Sequence, residues 1–323
     1  MQGYFLTMSK EKIQFISYLT IRAIISLFLI IPHEIRLRLL GFSCWMFLKF
    51  SKQYRTICFY NLRQVFPENT LRQNTQLLRK SCKSIGRLIS DSLRLPKLSA
   101  SWCEKNINFS NRADLRLVEE KKSPILFVSG HIGSFELLGH YLGIIGHPVA
   151  VVARSFKNPY LDEYFRNIRT GSGNTVIARN GAVRRLVSAL NSGRSVALLA
   201  DQNVTRKHAV FVEWFGRSAA TSVAPAIAAL RSPCLIYIIS IEYRHSRYEI
   251  VMTPCPVDDI TKSHEITEDE KIKSITARVS NILCDHIRSY PEGWFWMHRR
   301  WKTVPEGQQE DFYEKSLKVA SLK

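Results

Sequence analysis

The sequence predicts an α/β protein: a mainly parallel sheet flanked by helices, preceded by an N-terminal helical region that attaches to a membrane. Three observations carry this expectation. Short apolar runs rich in β-branched residues alternate with helical stretches from about Ser123 onward. The first 45 residues contain one long apolar run. Charge is strongly unbalanced, 46 Lys and Arg against 27 Asp and Glu, a net +19 with an isoelectric point near 9.8. The expected division is a membrane-anchoring region over residues 1–45 and a single domain over residues 46–323. With 323 residues and 46% hydrophobic side chains, the chain can bury a sizeable core, which excludes a disordered or fibrous protein. So large a basic excess suits a partner of negative charge: nucleic acid, an anionic membrane or a phosphorylated substrate.

Taken in order, residues 13–32 read IQFISYLTIRAIISLFLIIP, long enough as a helix to match the ~30 Å hydrocarbon core of a bilayer. Arg22 near its middle makes a clean span costly, so lying in the interface competes with crossing. The run is too long for a signal peptide and lacks a small-residue cleavage site. Leu71, Leu78, Cys82, Ile85, Ile89 and Leu93 then recur with the period of one helix face, beside Arg72, Arg79, Lys80, Lys83, Arg87 and Arg94. That cationic face suits anionic headgroups or plain solvent. Strands are expected at 125–129, 148–153, 195–200 and 234–240, and helices at 134–145, 159–170, 182–190 and 223–231. The polar, lysine-bearing stretch after Pro305 is expected to be partly mobile.

Seven scattered cysteines without a C-x-x-C pair point to reduced thiols that fill the core. No metal-ligand spacing is present, and neither a metal nor a cofactor is expected. The chemistry is expected where the first strand ends, in VSGHIGSFELLG. Gly130 and Gly133 bracket His131 in a turn, and Ser134 stands where a helix N-cap belongs. Glu136 then falls in the first helical turn, where a carboxylate is favoured, and is expected to accept the Nδ1 proton of His131 and leave Nε2 as a general base. There is no G-x-S-x-G elbow, no P-loop and no dinucleotide fingerprint. A base without a protein nucleophile suits direct activation of a substrate hydroxyl toward a thioester.

The sequence resembles the late acyltransferases of lipid A biosynthesis, relatives of the H-x4-D/E glycerolipid acyltransferases. The resemblance rests on an ordered set: the apolar N-terminus, NLRQVFP at Asn61 to Pro67, the H-x4-E element, and R-x4-P at Arg154 to Pro159. It continues with Arg166 and Arg169, ALLADQN with Asp201, FGRSAATS at Phe215 to Ser222, and PEGWFWMHRRWK at Pro291 to Lys302. It implies transfer of a fatty acyl chain from an acyl carrier protein thioester to a hydroxyl of a phosphorylated, Kdo-bearing lipid A precursor. It also implies an inner-membrane location facing the cytoplasm. Under it His131 is the base, Glu136 its orienting carboxylate, and Arg169 a cation near the tetrahedral oxyanion, with Arg166 in reserve.

Further residues are expected around the acceptor: Arg154, Arg166, Asp201, Arg217, Thr221, Ser222, Arg299 and Arg300, the last two serving either the acceptor or the core scaffold. Asp201 follows a strand as His131 does, which places both at the carboxyl edge of the sheet, the usual site of such folds, where Asp201 is read as orienting a basic residue or a sugar hydroxyl, or else as a plain turn aspartate. Thr221 and Ser222 are read as opening a helix with Arg217 nearby, a cradle for phosphate. The aromatic and cationic mixture from Trp294 to Trp301 suits a membrane interface or stacked bases, or else an internal strand. The alternatives are an acyltransferase for another glycolipid or glycerol phosphate and, more remotely, a non-catalytic basic protein binding membrane or nucleic acid. No nucleic-acid module is recognisable in the chain.

Overall fold

The computed structural model describes residues 9–120, 123–179, 181–307 and Tyr313; most of the polar stretch expected to be mobile lies outside them. Helix α1 (Lys10–Ile30) starts at Ser9, whose Oγ accepts from the Lys12 amide. None of its residues is buried, and by length and composition it is a candidate membrane-attaching helix. Arg22 is not a bare charge in this run: its guanidinium donates to the Tyr18 hydroxyl at 2.9 Å. Pro32 breaks the run, and α2 (His33–Phe50) follows. Residue 45, the expected domain boundary, falls inside α2. This helix leaves Ile35, Leu39 and Phe42 exposed on one side while burying Leu37, Gly41 and Leu48 on the other.

Helix α3 (Lys52–Val65) leads to α4 (Leu71–Arg94), which opens with a capping box between Thr70 and Gln73. Helix α4 crosses α2, burying Leu78 and Cys82 of its apolar stripe and leaving Leu71 and Ile89 exposed. At their crossing, a Cβ on Gly86 would stand 2.7 Å from the Gly41 amide nitrogen, so only hydrogen fits there. Half of the expected cationic face is taken up by rings, with Arg79 over Trp45, Arg87 over Tyr243 and Arg94 over Trp102. Arg72, Lys80 and Lys83 remain exposed.

The remainder builds the α/β body: α5 (Ala100–Asn106), β1 (Ile107–Phe109), α6 (Arg112–Glu120), β2 (Ile125–Ser129), α7 (Phe135–Ile144), β3 (Ala150–Ala153), α8 (Pro159–Thr170), β4 (Thr175–Ala178), α9 (Ala182–Asn191) and β5 (Val196–Leu199). After these come the hairpin β6 (Ala209–Trp214) and β7 (Arg217–Ser222), α10 (Ala224–Arg231), β8 (Leu235–Arg244), β9 (Arg247–Pro254), α11 (Asp258–Thr261) and α12 (Glu268–Ser289). Seven strands form one sheet in the order β1-β9-β8-β2-β5-β3-β4. All neighbours are parallel except β8 and β9. Period-two alternation divides β2 between two cores: Leu126 and Val128 face the side covered by α9, α10 and α12, whereas Ile125 and Phe127 face α7 and α8.

One expectation is overturned. Thr221 and Ser222 end strand β7 and do not open a helix; α10 starts at Ala224. The reason is the two-residue turn Phe215-Gly216, in which φ is 50° and 75°. Both residues in the left-handed region make a tight hairpin turn, and the following segment pairs back on β6.

Gly86→Leu is expected to force α2 and α4 apart at a cost of about 1–3 kcal/mol, seen as a thermal midpoint several degrees lower in the detergent-solubilised protein.

Candidate active site

Sheet register assembles the site. Strands β2 and β5 are neighbours with Ser129 opposite Leu199, so two residues farther on His131 stands opposite Asp201. Asp201 Oδ1 lies 2.8 Å from His131 Nδ1, and Oδ2 accepts the His131 backbone N–H at 2.8 Å. Gly130 permits the approach, since a Cβ there would already be 3.2 Å from the Asp201 side chain. Gly133 permits the turn: its φ is +59°, and a Cβ would lie 1.9 Å from the Ile241 carbonyl oxygen.

The PEGWFWMHRRWK segment clamps this turn from outside. The Gly133 N–H donates to Gly293 O at 2.9 Å, and the Phe295 N–H donates to His131 O at 3.1 Å. Trp294 Nε1 donates to Asp201 Oδ2 at 2.8 Å. Trp294, Trp296 and Trp301 are all but fully buried. The segment is therefore neither a membrane-facing belt nor an internal strand; it is a buried loop that fixes the histidine. Asn61 of NLRQVFP holds the loop in turn, donating to Trp296 O and His298 O and accepting from the buried Tyr313 hydroxyl. His298 Nε2 accepts the Asn203 N–H, and burial pushes its pKa down to about 4.

These contacts set the protonation pattern. Burial of Asp201 opposes its charge, but His131 and the Trp294 N–H outweigh it and hold the carboxyl near 2. As an ionised carboxylate Asp201 only accepts, so Nδ1 of His131 carries the proton and Nε2 presents its lone pair. Gln202 Nε2 lies 3.3 Å from that lone pair. For His131, burial favours the neutral ring, yet the charge and hydrogen bond of Asp201, with the charge of Glu136, raise its pKa above the ordinary 6.5.

Glu136 does not take the Nδ1 proton as expected. The first turn of α7 aims its carboxylate across to α8, where Arg169 grips it with Nε at 3.1–3.2 Å and Nη2 at 2.6 Å. Arg166, one turn away, pairs instead with Asp162 of its own helix and is exposed. Ser134 occupies the N-cap position without capping the helix; its hydroxyl donates at 2.6 Å to the fully buried Asp91 of α4. Beneath these groups a cavity of about 330 Å³ runs between α7 and the sheet. His131, Glu136, Arg154 and Arg169 stand at its mouth, and Phe127, Leu138, Leu142, Val151 and Ala197 line its depth.

The structure separates the remaining expected site residues. Arg154 is exposed beside the mouth. Arg300 is fully buried, donating to Ala220 O and to Thr221 Oγ1 with its guanidinium over Trp214. Arg300 and Thr221 thus hold the hairpin against the loop and do not face a ligand. Ser222 Oγ accepts from the Ala224 N–H. Arg217 begins β7 and Arg299 is half-buried beside Arg300; the phosphate cradle expected around Arg217 is dissolved with its helix. Gln202 and Trp294 are the site residues that sequence reasoning missed, although both lie inside motifs it had marked.

A chain with this site matches the family model described as bacterial lipid A biosynthesis acyltransferase over residues 5–303. The chain belongs to that family. Among its relatives, the Escherichia coli K12 lipid A biosynthesis lauroyltransferase is 25% identical, covering 80% of this chain and 83% of the relative. The palmitoleoyltransferase of the same organism is 23% identical over 80% and 82% of the two chains. A Haemophilus influenzae lipid A biosynthesis acyltransferase is 25% identical over 85% and 86%. In this lipid A acyltransferase the sequence motifs described above fall into two groups. One supplies His131, Glu136 and Arg169 at the cavity and Asp201 buried behind the histidine; the other, around Asn61, Phe215 and Trp294, forms the scaffold behind them.

Asp201→Asn removes the group that raises the imidazole pKa and fixes its tautomer. The acid limb of the kcat/KM profile, set by the neutral ring and lying above 6.5 in the wild type, is expected to move to lower pH. The plateau is expected to fall about 10²–10⁴-fold. A pH series on acyl transfer measures both.

Proposed function

We propose that the protein transfers a fatty acyl chain from an acyl carrier protein thioester to a hydroxyl of a phosphorylated, Kdo-bearing lipid A precursor. The observation that carries the reading is the histidine whose Nδ1 is held by Asp201 and whose Nε2, met only by the Gln202 amide, lies on an apolar cavity. A donor chain lies in the cavity with its thioester carbonyl at the mouth. The acceptor hydroxyl displaces Gln202 from Nε2. As its oxygen bonds to the carbonyl carbon, its proton passes to Nε2, and Asp201 stabilises the imidazolium. Arg169, steadied by Glu136, meets the negative charge developing on the carbonyl oxygen. Collapse breaks the C–S bond, and the leaving thiolate takes the proton from His131. The products are an ester and the free carrier thiol.

In this reading Glu136 positions an arginine, and the dyad that activates the hydroxyl is His131 with Asp201. The net charge of +19 suits an acidic carrier protein, a phosphorylated acceptor and an anionic surface together. Helix α1 and the exposed apolar side of α2 attach the enzyme to the inner membrane, with the site on the cytoplasmic side.

Purified protein with labelled acyl carrier protein thioester and precursor lipid tests the reading. His131→Ala is expected to lower turnover by about 10²–10⁴-fold and Arg169→Ala by about 10²–10³-fold. Unchanged turnover in His131→Ala, or glycerol phosphate replacing the glycolipid as acceptor, sinks it. The cavity wall supplies a second check. A Cβ on Gly139 would meet nothing within 4 Å, so Gly139→Leu projects into open space. The preferred chain should then shorten across a series of thioesters.

A further inference from the structure

The cavity wall contains one polar group that acyl transfer itself does not use. His140 lies on α7 one turn beyond Glu136, on the same helix face and about 6 Å farther from the mouth. It lines the cavity and is only 7% exposed. Its Nδ1 is shielded from solvent and has no hydrogen-bond partner among the described residues. Burial favours the neutral ring, which has one N–H to give and one lone pair to receive with.

Apart from Arg154, which is exposed to solvent, the other polar groups in this wall are engaged. Asn174 donates to Gly139 O and Ser172 Oγ and accepts the Val149 N–H. Ser129 Oγ donates to Gly130 O, and Glu136 and Arg169 hold each other. Hydrocarbon makes up most of the remaining wall, with Leu138, Leu142 and Val151 among its lining residues. A purely aliphatic chain would leave the imidazole unanswered, which is costly for a buried polar atom. A hydroxyl can answer the ring at one nitrogen, giving a hydrogen bond to a lone pair or receiving one from an N–H, which a hydrocarbon chain cannot do. Side chains on a helix lean toward its N-terminus, so the ring tilts back toward the mouth, where the first carbons of the donor chain lie.

We propose that His140 reads a hydroxyl near the thioester end of the donor chain, so that the cavity accepts hydroxyacyl chains in preference to unsubstituted chains of equal length. The proposal rests on the cavity being the acyl site. It adds a recognition element that a plain hydrophobic slot lacks.

The experiment offers tetradecanoyl and 3-hydroxytetradecanoyl thioesters of acyl carrier protein to the full-length protein, singly and in competition, with products identified by mass. The wild type is expected to favour the hydroxyacyl donor about tenfold in kcat/KM. His140→Leu should abolish that preference, and His140→Gln, which keeps a donor and an acceptor, should retain part of it. Equal use of both donors by the wild type, or an unchanged preference in His140→Leu, overturns the proposal and leaves acyl transfer standing. Turnover of neither donor by the wild type overturns the acyl-donor reading and the proposal with it. The wild-type ratio decides the matter even where His140→Leu fails to fold.

Discussion

The buried carboxylate of Asp201 is the point on which the rest of the site depends. It receives three hydrogen bonds, from the His131 ring, the His131 backbone and the Trp294 indole, each at 2.8 Å. A carboxylate so shielded survives as an anion only because all three donors are held in place. Holding them requires a sheet register that sets residue 131 opposite residue 201, and a glycine-permitted turn. It also requires a loop of tryptophans fastened by Asn61 and Arg300. Sequence elements more than 200 residues apart thus serve one charge.

The same logic separates the two acidic groups near His131. Asp201 is enclosed and acts on the ring through contact, whereas Glu136 is half-buried at the cavity mouth and reaches the ring only through its field. Between them they divide the tasks of fixing a tautomer and steadying an arginine. A single carboxylate five residues from the histidine could not do both, because the first turn of α7 directs it toward α8.

Much of the fold was legible in the sequence. The apolar runs at 125–129 and 195–200 and the helices between them obey simple periods, and the sheet edge that carries His131 and Asp201 follows from that alternation. What stayed hidden lacked local signals. The β8–β9 turn places His245 and Ser246 at φ of 48° and 62°, where an Asn-Gly pair would have announced a hairpin. Short β4 lies at the sheet's edge with half-exposed side chains. The His131–Asp201 contact depends on which strands are neighbours, and no spacing along the chain encodes that. The burial of Arg300 was likewise unreadable, because a cation among tryptophans looks the same in sequence whether the rings face lipid or core.

Helix α1 is more than a tether. Its Gln14 backbone carbonyl accepts from Asn158, Phe15 and Tyr18 pack on Tyr160, and Arg22 lies 4.6 Å from the centre of the Tyr164 ring. These partners sit on or beside α8, the helix that also carries Arg169. The candidate membrane-attaching helix and the helix that carries Arg169 are therefore one packed pair. A flexible linker would raise the local concentration of enzyme at a surface and leave its orientation free. A packed helix pair removes that rotational freedom, so the cavity keeps one orientation relative to α1.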